Sequence, residues 1–227
     1  MTHQTAEQVK EDLIEHMGQE VGEVFFLLKQ ELFQIYVQWN EYMEAFGIKE
    51  ERVNMLNQAA GGFFKCVQDA LWLNVILGLC RVTDPAKIGK NQNLSIDGLS
   101  HLIEHELCTQ MKQHIDAVND KIKFARDWRN RRYAHSDLGL AKDKTATPLE
   151  PASRKDVIDA LDTIVSVMNE VEYHYMKCTT LYSEAKNHQN VVALLSVLDD
   201  GFRFDKERKE QMKLGSFSAK YIRSKDL

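Results

Sequence analysis

An all-α fold, a bundle of long antiparallel helices, is what this sequence predicts. Only 3 prolines and 11 glycines interrupt 227 residues, which favours long helices over strands. Apolar residues recur at alternating spacings of three and four along several stretches, the signature of a helix with one buried face. Residues able to cap a helix, Thr5, Ser95 and Ser153, stand just ahead of such stretches. With 44% hydrophobic residues the chain can bury a full core as one domain with a small appendage.

Taken in order, Thr5-Ala6-Glu7-Gln8 is a capping-box start, and Gly18 and Gly22 are placed to bend or restart the helix that follows. Leu28, Leu32, Ile35, Trp39, Tyr42 and Phe46 then form a seam that Gly47 ends. A second long helix is expected from Glu50 to Arg81, with Val53, Leu56, Phe63, Val67, Leu71 and Val75 or Leu79 inward. Gly61-Gly62 either kinks it or admits a close neighbour, and Thr83-Asp84-Pro85 stops it. Residues 86–94 read as a loop. Ser95 caps a shorter helix reaching about Cys108, with Ile96, Leu99, Leu102 and Ile103 buried.

The next helix is expected over about Met111 to Tyr133, with Ile115, Val118, Ile122, Ala125 and Trp128 or Arg129 on one face. Residues 138–151, carrying Gly139, Pro148 and Pro151, read as an exposed loop. From Ser153 the cleanest rhythm begins: Val157, Leu161, Ile164, Met168, Val171, Tyr175, Cys178 and Tyr182. That seam packs either inside a bundle or against a second subunit. The expected organisation is a helical domain over 1–190, its core about 20–185. A short helix from Val191 to Leu198 and a polar basic tail over 199–227, partly disordered by composition, follow it.

A formal net charge of -5 excludes a surface that coats nucleic acid without selectivity, so any such contact must be local. Cys66, Cys80, Cys108 and Cys178 have no CxxC or Cys/His metal spacing, the start leads into no apolar signal region, and no apolar run reaches about 18 residues. The expectation is a cytoplasmic chain with reduced thiols, no membrane association, no metal and no cofactor. His101 and His105, one turn apart around Glu104, and His114 lack an HExxH pattern and read as surface histidines. Gly61-Gly62 and Gly89-Lys90 lack the remainder of a phosphate loop, and no GxSxG elbow is present. Asp199 and Asp200 are adjacent and point apart, and Cys80 beside Arg81 lies in an apolar segment unsuited to a thiolate.

One segment stands out in this acidic chain. Arg126-Asp127-Trp128-Arg129-Asn130-Arg131-Arg132-Tyr133-Ala134-His135-Ser136-Asp137 brings four arginines and a histidine to the end of an expected helix. Guanidinium forks match phosphate oxygens, and a histidine moves protons near neutral pH. The same cluster also reads as a solvated basic end, favoured by the helix dipole. Asp84, three residues after Arg81, forms either a helix-end salt bridge with it or part of a site. Arg126 is expected to pair with an acidic residue, and Tyr133 to pack.

Arg129, the polar Asn130 directly after it, and His135 resemble the HEPN (higher eukaryotes and prokaryotes nucleotide-binding) signature of Arg, four to six residues, His. Residues 128–137, with the earlier Leu71-Trp72-Leu73-Asn74-Val75-Ile76-Leu77-Gly78-Leu79-Cys80-Arg81-Val82-Thr83-Asp84, are similar to the abortive-infection U (AbiU-like) type of HEPN protein from bacteria. The resemblance spans roughly residues 20–185. It implies a HEPN-like bundle that pairs as a homodimer, two motifs forming one RNA cleft, and a metal-independent endoribonuclease in bacterial defence or a toxin–antitoxin pair. A cognate antitoxin or regulatory protein would then be a partner. On this reading Arg129, Asn130 and His135 are catalytic, Arg126, Arg131 and Arg132 bind RNA phosphates, and Arg81 and Asp84 shape the site. The alternatives are a non-catalytic HEPN-like module that binds RNA, nucleotide or protein, and a purely structural dimer. Where some HEPN toxins carry a tyrosine two residues after the histidine, this chain has Asp137, which removes the acceptor for modification there.

Overall fold

The computed structural model describes residues 4–134, 138–142 and 147–215, and among these the regular structure is helical apart from one short hairpin. They pack as two compact units. The first takes the residues up to 40 together with 69–186; the second takes 41–68 and the residues from 187 onward. The sequence placed 41–68 in the main helical domain, whereas its contacts group it with the C-terminal helix.

In the first unit, α1 (Ala6–Met17) begins with the expected capping box: the Gln8 amide donates to Thr5 Oγ1 and the Thr5 amide donates to Gln8 Oε1. Gly18, at φ 81°, ends it, and α2 (Gln19–Tyr42) starts at once. Gly22 has a different task. A Cβ there would lie 2.7 Å from the Ile14 Cα, so the two backbones meet at a point where no side chain fits. Phe25, Leu28, Leu32, Ile35 and Trp39 are buried as the periodicity requires.

The helix α3 (Glu50–Thr83) contributes its later turns here, with Val75, Ile76, Leu79 and Cys80 fully buried. The expected loop after it folds into a hairpin, β1 (Lys87–Ile88) against β2 (Asn91–Gln92). Ser95 caps as expected, but its helix α4 is only Ile96–Ser100. The motif segment is likewise divided into α5 (His105–Lys121) and α6 (Lys123–Trp128), with the break at Ile122 (φ -96°, ψ 2°). A five-residue helix, α7 (Leu138–Lys142), occupies part of the expected 138–151 loop.

The helix α8 (Arg154–Met176), capped by Ser153, packs along α5. Val157, Leu161, Ile164, Met168 and Val171 are all buried within this unit, so the seam belongs to the chain's own core. It ends earlier than expected, because Lys177 turns left-handed at φ 56°. Cys178 is therefore exposed, and Tyr182 reaches the core from a separate 3₁₀ turn, 5.0 Å from the Phe33 ring. A buried ion pair joins the same region: Lys29 Nζ lies 2.5 Å from Glu172, which is 2% exposed and also accepts from Thr180 Oγ1 at 2.7 Å.

The second unit holds a wide π turn at Met43–Gly47, the first turns of α3, and α9 (Val191–Lys213). Ala45, Leu56 and Leu195 form its centre, flanked by Phe46, Met55, Phe64, Val191 and Leu198. A kink at Ala60 (φ -164°, ψ 68°), next to Gly61-Gly62, shifts the helical phase of α3. Phe63, expected inward, is therefore 63% exposed, and Phe64 packs in its place. Beyond Leu198 the expected polar tail stays helical to Lys213, supported by Asp199–Arg203 and Asp205–Lys209 pairs four residues apart. The rest of that tail, 216–227, lies outside the described residues.

By length and mean hydropathy α3 reaches the threshold of a membrane span, which the run-length reading did not anticipate. Its apolar window is 28% buried; the Val75–Cys80 turns lie in the first unit's core, and core helices of water-soluble proteins also reach such hydropathy.

Two glycine substitutions should shift stability in opposite directions. Gly22→Ala drives a methyl into the α1 backbone and should destabilise by about 1–3 kcal/mol. Gly201→Ala, mid-helix in α9 with open space around it, should stabilise its unit by about 0.5–1 kcal/mol. Denaturant melts of the three proteins check both signs.

Candidate active site

The arginine segment does not continue as an ordinary helix. At Trp128 the helix α6 widens into a single π turn, Arg129–Tyr133, closed by the Ala134 amide donating to the Arg129 carbonyl at 2.7 Å. Such a turn adds a residue to the repeat and re-aims the side chains after it. Trp128 anchors it by donating from Nε1 to the Glu150 carbonyl (2.8 Å) and by meeting the Trp72 ring at 6.3 Å and the Tyr133 ring at 5.9 Å.

Arg129 reaches the end of α3. Its Nη1 donates to both oxygens of Asp84, at 2.8 and 2.9 Å, while Nε donates to Asn130 Oδ1 at 3.1 Å. Nη2 has no partner among the described residues. The pair is partly sheltered, Arg129 at 26% and Asp84 at 17% exposure. Burial opposes the Arg129 charge, but hydrogen bonding to Asp84 and the nearby negative charge outweigh it and hold its pKa above the usual arginine value. Of the two sequence readings for Asp84, the salt bridge with Arg81 does not form among the described residues. Arg81, 61% exposed, turns to Glu31 at 3.3 Å.

The other arginines divide by task. Arg126, expected to meet an acid, donates from Nη2 to the Thr83 carbonyl (2.8 Å) and to Asn119 Oδ1 (2.9 Å), closing one of the unpaired carbonyls that end α3. Arg131 donates to the carbonyls of Thr147 (2.6 Å) and Pro148 (3.2 Å) and lies 3.5 Å from Asp127, which in turn accepts from the Glu150 amide. It therefore pins the 147–150 segment. Arg132 is exposed, its guanidinium 5.4 Å over the Trp128 ring. Asn130 is exposed beside it. Tyr133 packs as expected, and its partial burial raises its phenol pKa, so it stays protonated at neutral pH.

His135, the histidine of the motif, lies outside the described residues, as do Ser136 and Asp137. The remaining candidates are placed: His114 Nδ1 pairs with Glu170 at 2.6 Å, and His101 lies 4.0 Å from Asp97. Among the described residues no three His, Cys, Asp or Glu side chains come together as a metal site. Cys80 is fully buried, and burial lifts its thiol to about 11 despite Arg129, Arg126 and Arg81 nearby. It carries no nucleophilic thiolate at neutral pH.

Beside the Arg129–Asp84 pair opens a cavity of about 560 Å³, reached by Arg126, Arg129, Thr83, Asp84 and Asn119. The arrangement offers a fixed cation with one donor edge unused, at the mouth of a space large enough for a small ligand. The partnership of Arg129 with Asp84, 45 residues apart, had no local sequence signal, and neither did the placement of Asn119.

Cys80 gives this region a pH signature. The unfolded thiol ionises near 9 while the folded one waits until about 11, so the unfolded state sheds its proton first and stability should fall as pH rises between those values. At pH 8, thiol reagents should label exposed Cys66 and Cys178 rapidly and leave Cys80 untouched until denaturant is added. Mass mapping of the labelled cysteines is the check.

A family model described as AbiU2, of HEPN type, matches residues 18–194. Neither the curated proteins nor the solved structures yield a match. The matched span holds both the helical core and the whole Arg126–His135 segment, and the chain belongs to the AbiU2 family of HEPN proteins.

Proposed function

We propose that this chain is a metal-independent endoribonuclease of HEPN type, with Arg129, Asn130 and His135 as its catalytic residues. The observation that carries this reading is the held guanidinium: Arg129 is oriented by Asp84, its Nη2 has no partner among the described residues, and it lines an open cavity. A preorganised cation aimed at developing charge is often the largest catalytic contribution, because nothing has to rearrange during the reaction.

The chemistry runs in line at a phosphodiester. His135 of one copy takes the proton from a ribose 2′-hydroxyl, the 2′-oxygen attacks phosphorus, and Arg129 meets the negative charge that accumulates on the phosphorane. The second copy's histidine returns a proton to the departing 5′-oxygen. The products are a 2′,3′-cyclic phosphate and a 5′-hydroxyl, and DNA, lacking the 2′-hydroxyl, is inert. One motif supplies one proton-transfer group, so the reaction calls for a homodimer with two motifs in one cleft. Arg126 and Arg132 contribute positive charge to the RNA path. Family membership supports a defence or toxin–antitoxin setting in the cytoplasm, restrained by an antitoxin or regulatory protein.

A second reading rests on a specific observation. Arg126 and Arg131 donate to backbone carbonyls and Arg129 to a carboxylate, so much of the cluster already serves the fold. A module of this kind would bind RNA or nucleotide, or scaffold a partner, without cleaving.

Incubation of end-labelled total RNA in EDTA separates the two. Wild type should leave cyclic-phosphate ends, while Arg129→Ala and His135→Ala should each lose at least about 100-fold in rate. Asp84→Asn, which slackens the hold on Arg129, should lose about 10–100-fold. RNA retained in a gel shift by wild type, with no cleavage, selects the binding module.

A further inference from the structure

The cavity beside Arg129 is more than an entrance. Five apolar residues, Pro85, Ile88, Ile96, Ile115 and Val118, form its walls, and four charged groups stand on it in balance: Arg126 and Arg129 against Asp84 and Asp97. Two carboxylates make the interior a poor place for a phosphate, which belongs at the arginine edge. A flat, neutral, aromatic group with polar edges suits it better, since apolar walls cover its faces and polar groups meet its rim.

The polar groups are not all used within the protein. Among the described residues Arg126 commits only Nη2, leaving Nε and Nη1 to donate elsewhere, and Asn119 commits only Oδ1, leaving its amide N–H groups. As an acceptor, Asp97 takes the Ala86 amide on Oδ2 at 2.7 Å, while among the described residues its Oδ1 has only a loose contact with His101 at 4.0 Å. The cavity thus offers paired donors and a carboxylate acceptor. Ile88, 54% exposed on the hairpin, adds an uncovered apolar side chain at the cavity's edge.

From this lining we infer that the cavity is a nucleobase subsite selective for guanine, receiving the base of an RNA nucleotide next to the phosphate that Arg129 engages. Guanine alone among the four bases presents two adjacent acceptors, O6 and N7, together with two adjacent donors, N1–H and N2–H. The acceptors match Arg126 and Asn119, and the donors match the Asp97 carboxylate. Adenine would set its N6 donor against guanidinium donors, and a pyrimidine would leave part of the apolar wall wet. The inference rests on the ribonuclease reading for its RNA, but the subsite can be tested without cleavage.

Equilibrium binding of four 2′-O-methyl pentanucleotides, identical except for the central base, provides the test, because none can be cut. The guanine oligonucleotide should bind at least about five-fold more tightly than the others. Asp97→Asn keeps an acceptor for the Ala86 amide but offers the base a mixed edge, and should erase the preference. Ile115→Trp, which fills the cavity from a half-buried position, should weaken the guanine oligonucleotide to the level of the other three. Equal affinity for all four bases, or a preference that survives both substitutions, overturns the subsite. Free guanosine 5′-monophosphate is the control arm: binding as tight as the oligonucleotide's would assign the cavity to a soluble nucleotide and overturn the RNA assignment. Guanine-selective binding without any cleavage in EDTA would sink the nuclease reading while leaving the subsite standing.

Discussion

A guanidinium has five N–H donors in a rigid fork, and where Arg129 directs them governs the geometry around it. Nη1 is fixed on Asp84 and Nε on Asn130, so the plane of the fork is set and, among the described residues, Nη2 is left without a partner. Arg126, one turn earlier on α6, closes the Thr83 carbonyl. Two arginines therefore seal the end of α3, where the helix dipole and the Asp84 carboxylate are both negative. The partly sheltered Arg129–Asp84 pair adds little net stability, because desolvation offsets much of its attraction. Its consequence is orientation: it ties the π turn of the motif to a helix whose last turns are buried in the core.

That helix is a suitable anchor because its neighbours hold it tightly. Gly78 lets α3 approach α2 so closely that a Cβ would sit 2.7 Å from Ile35 Cγ1, and Val75, Ile76, Leu79 and Cys80 fill the space around it. On the other side of the motif, α5 lies along the fully buried seam of α8. The motif residues thus stand on short, irregular segments fixed by long, regular ones. Flexible positioning groups lose rate quickly with misplacement, so a rigid support under the π turn is what the catalytic role proposed for Arg129 would require.

Much of this support was legible in the sequence. The caps at Thr5, Ser95 and Ser153 and the seams from Leu28 to Trp39 and Val157 to Val171 followed from spacing alone, because one buried face imposes one period. The misreadings share a cause. Phe63 was assigned inward on the assumption of one unbroken helical phase, which Ala60 breaks. The segment from 111 to 133 looked continuous, but the Ile122 break and the π turn leave the apolar spacing nearly intact and so give no periodic warning. In the site, the motif arginines were visible as a cluster, yet their division into a held fork, a helix cap and a loop clasp depends on partners 7 to 45 residues away. Pairings over such distances are set by tertiary packing, which a single sequence does not encode locally.

Charge places a final constraint on how such a site can work. The chain carries a net charge of -5, and within the cavity two guanidiniums face two carboxylates. Long-range attraction of a polyanion is therefore weak, and association would lack the steep salt dependence of a protein that neutralises many phosphates. Selectivity must come instead from contacts made at hydrogen-bond distance, where fixed donors and acceptors reject a mismatched edge by leaving their own groups unpaired. On the ribonuclease reading proposed above, low general affinity would limit idle cleavage, and a demanding pocket beside one oriented cation would confine the reaction to the few sites that satisfy both.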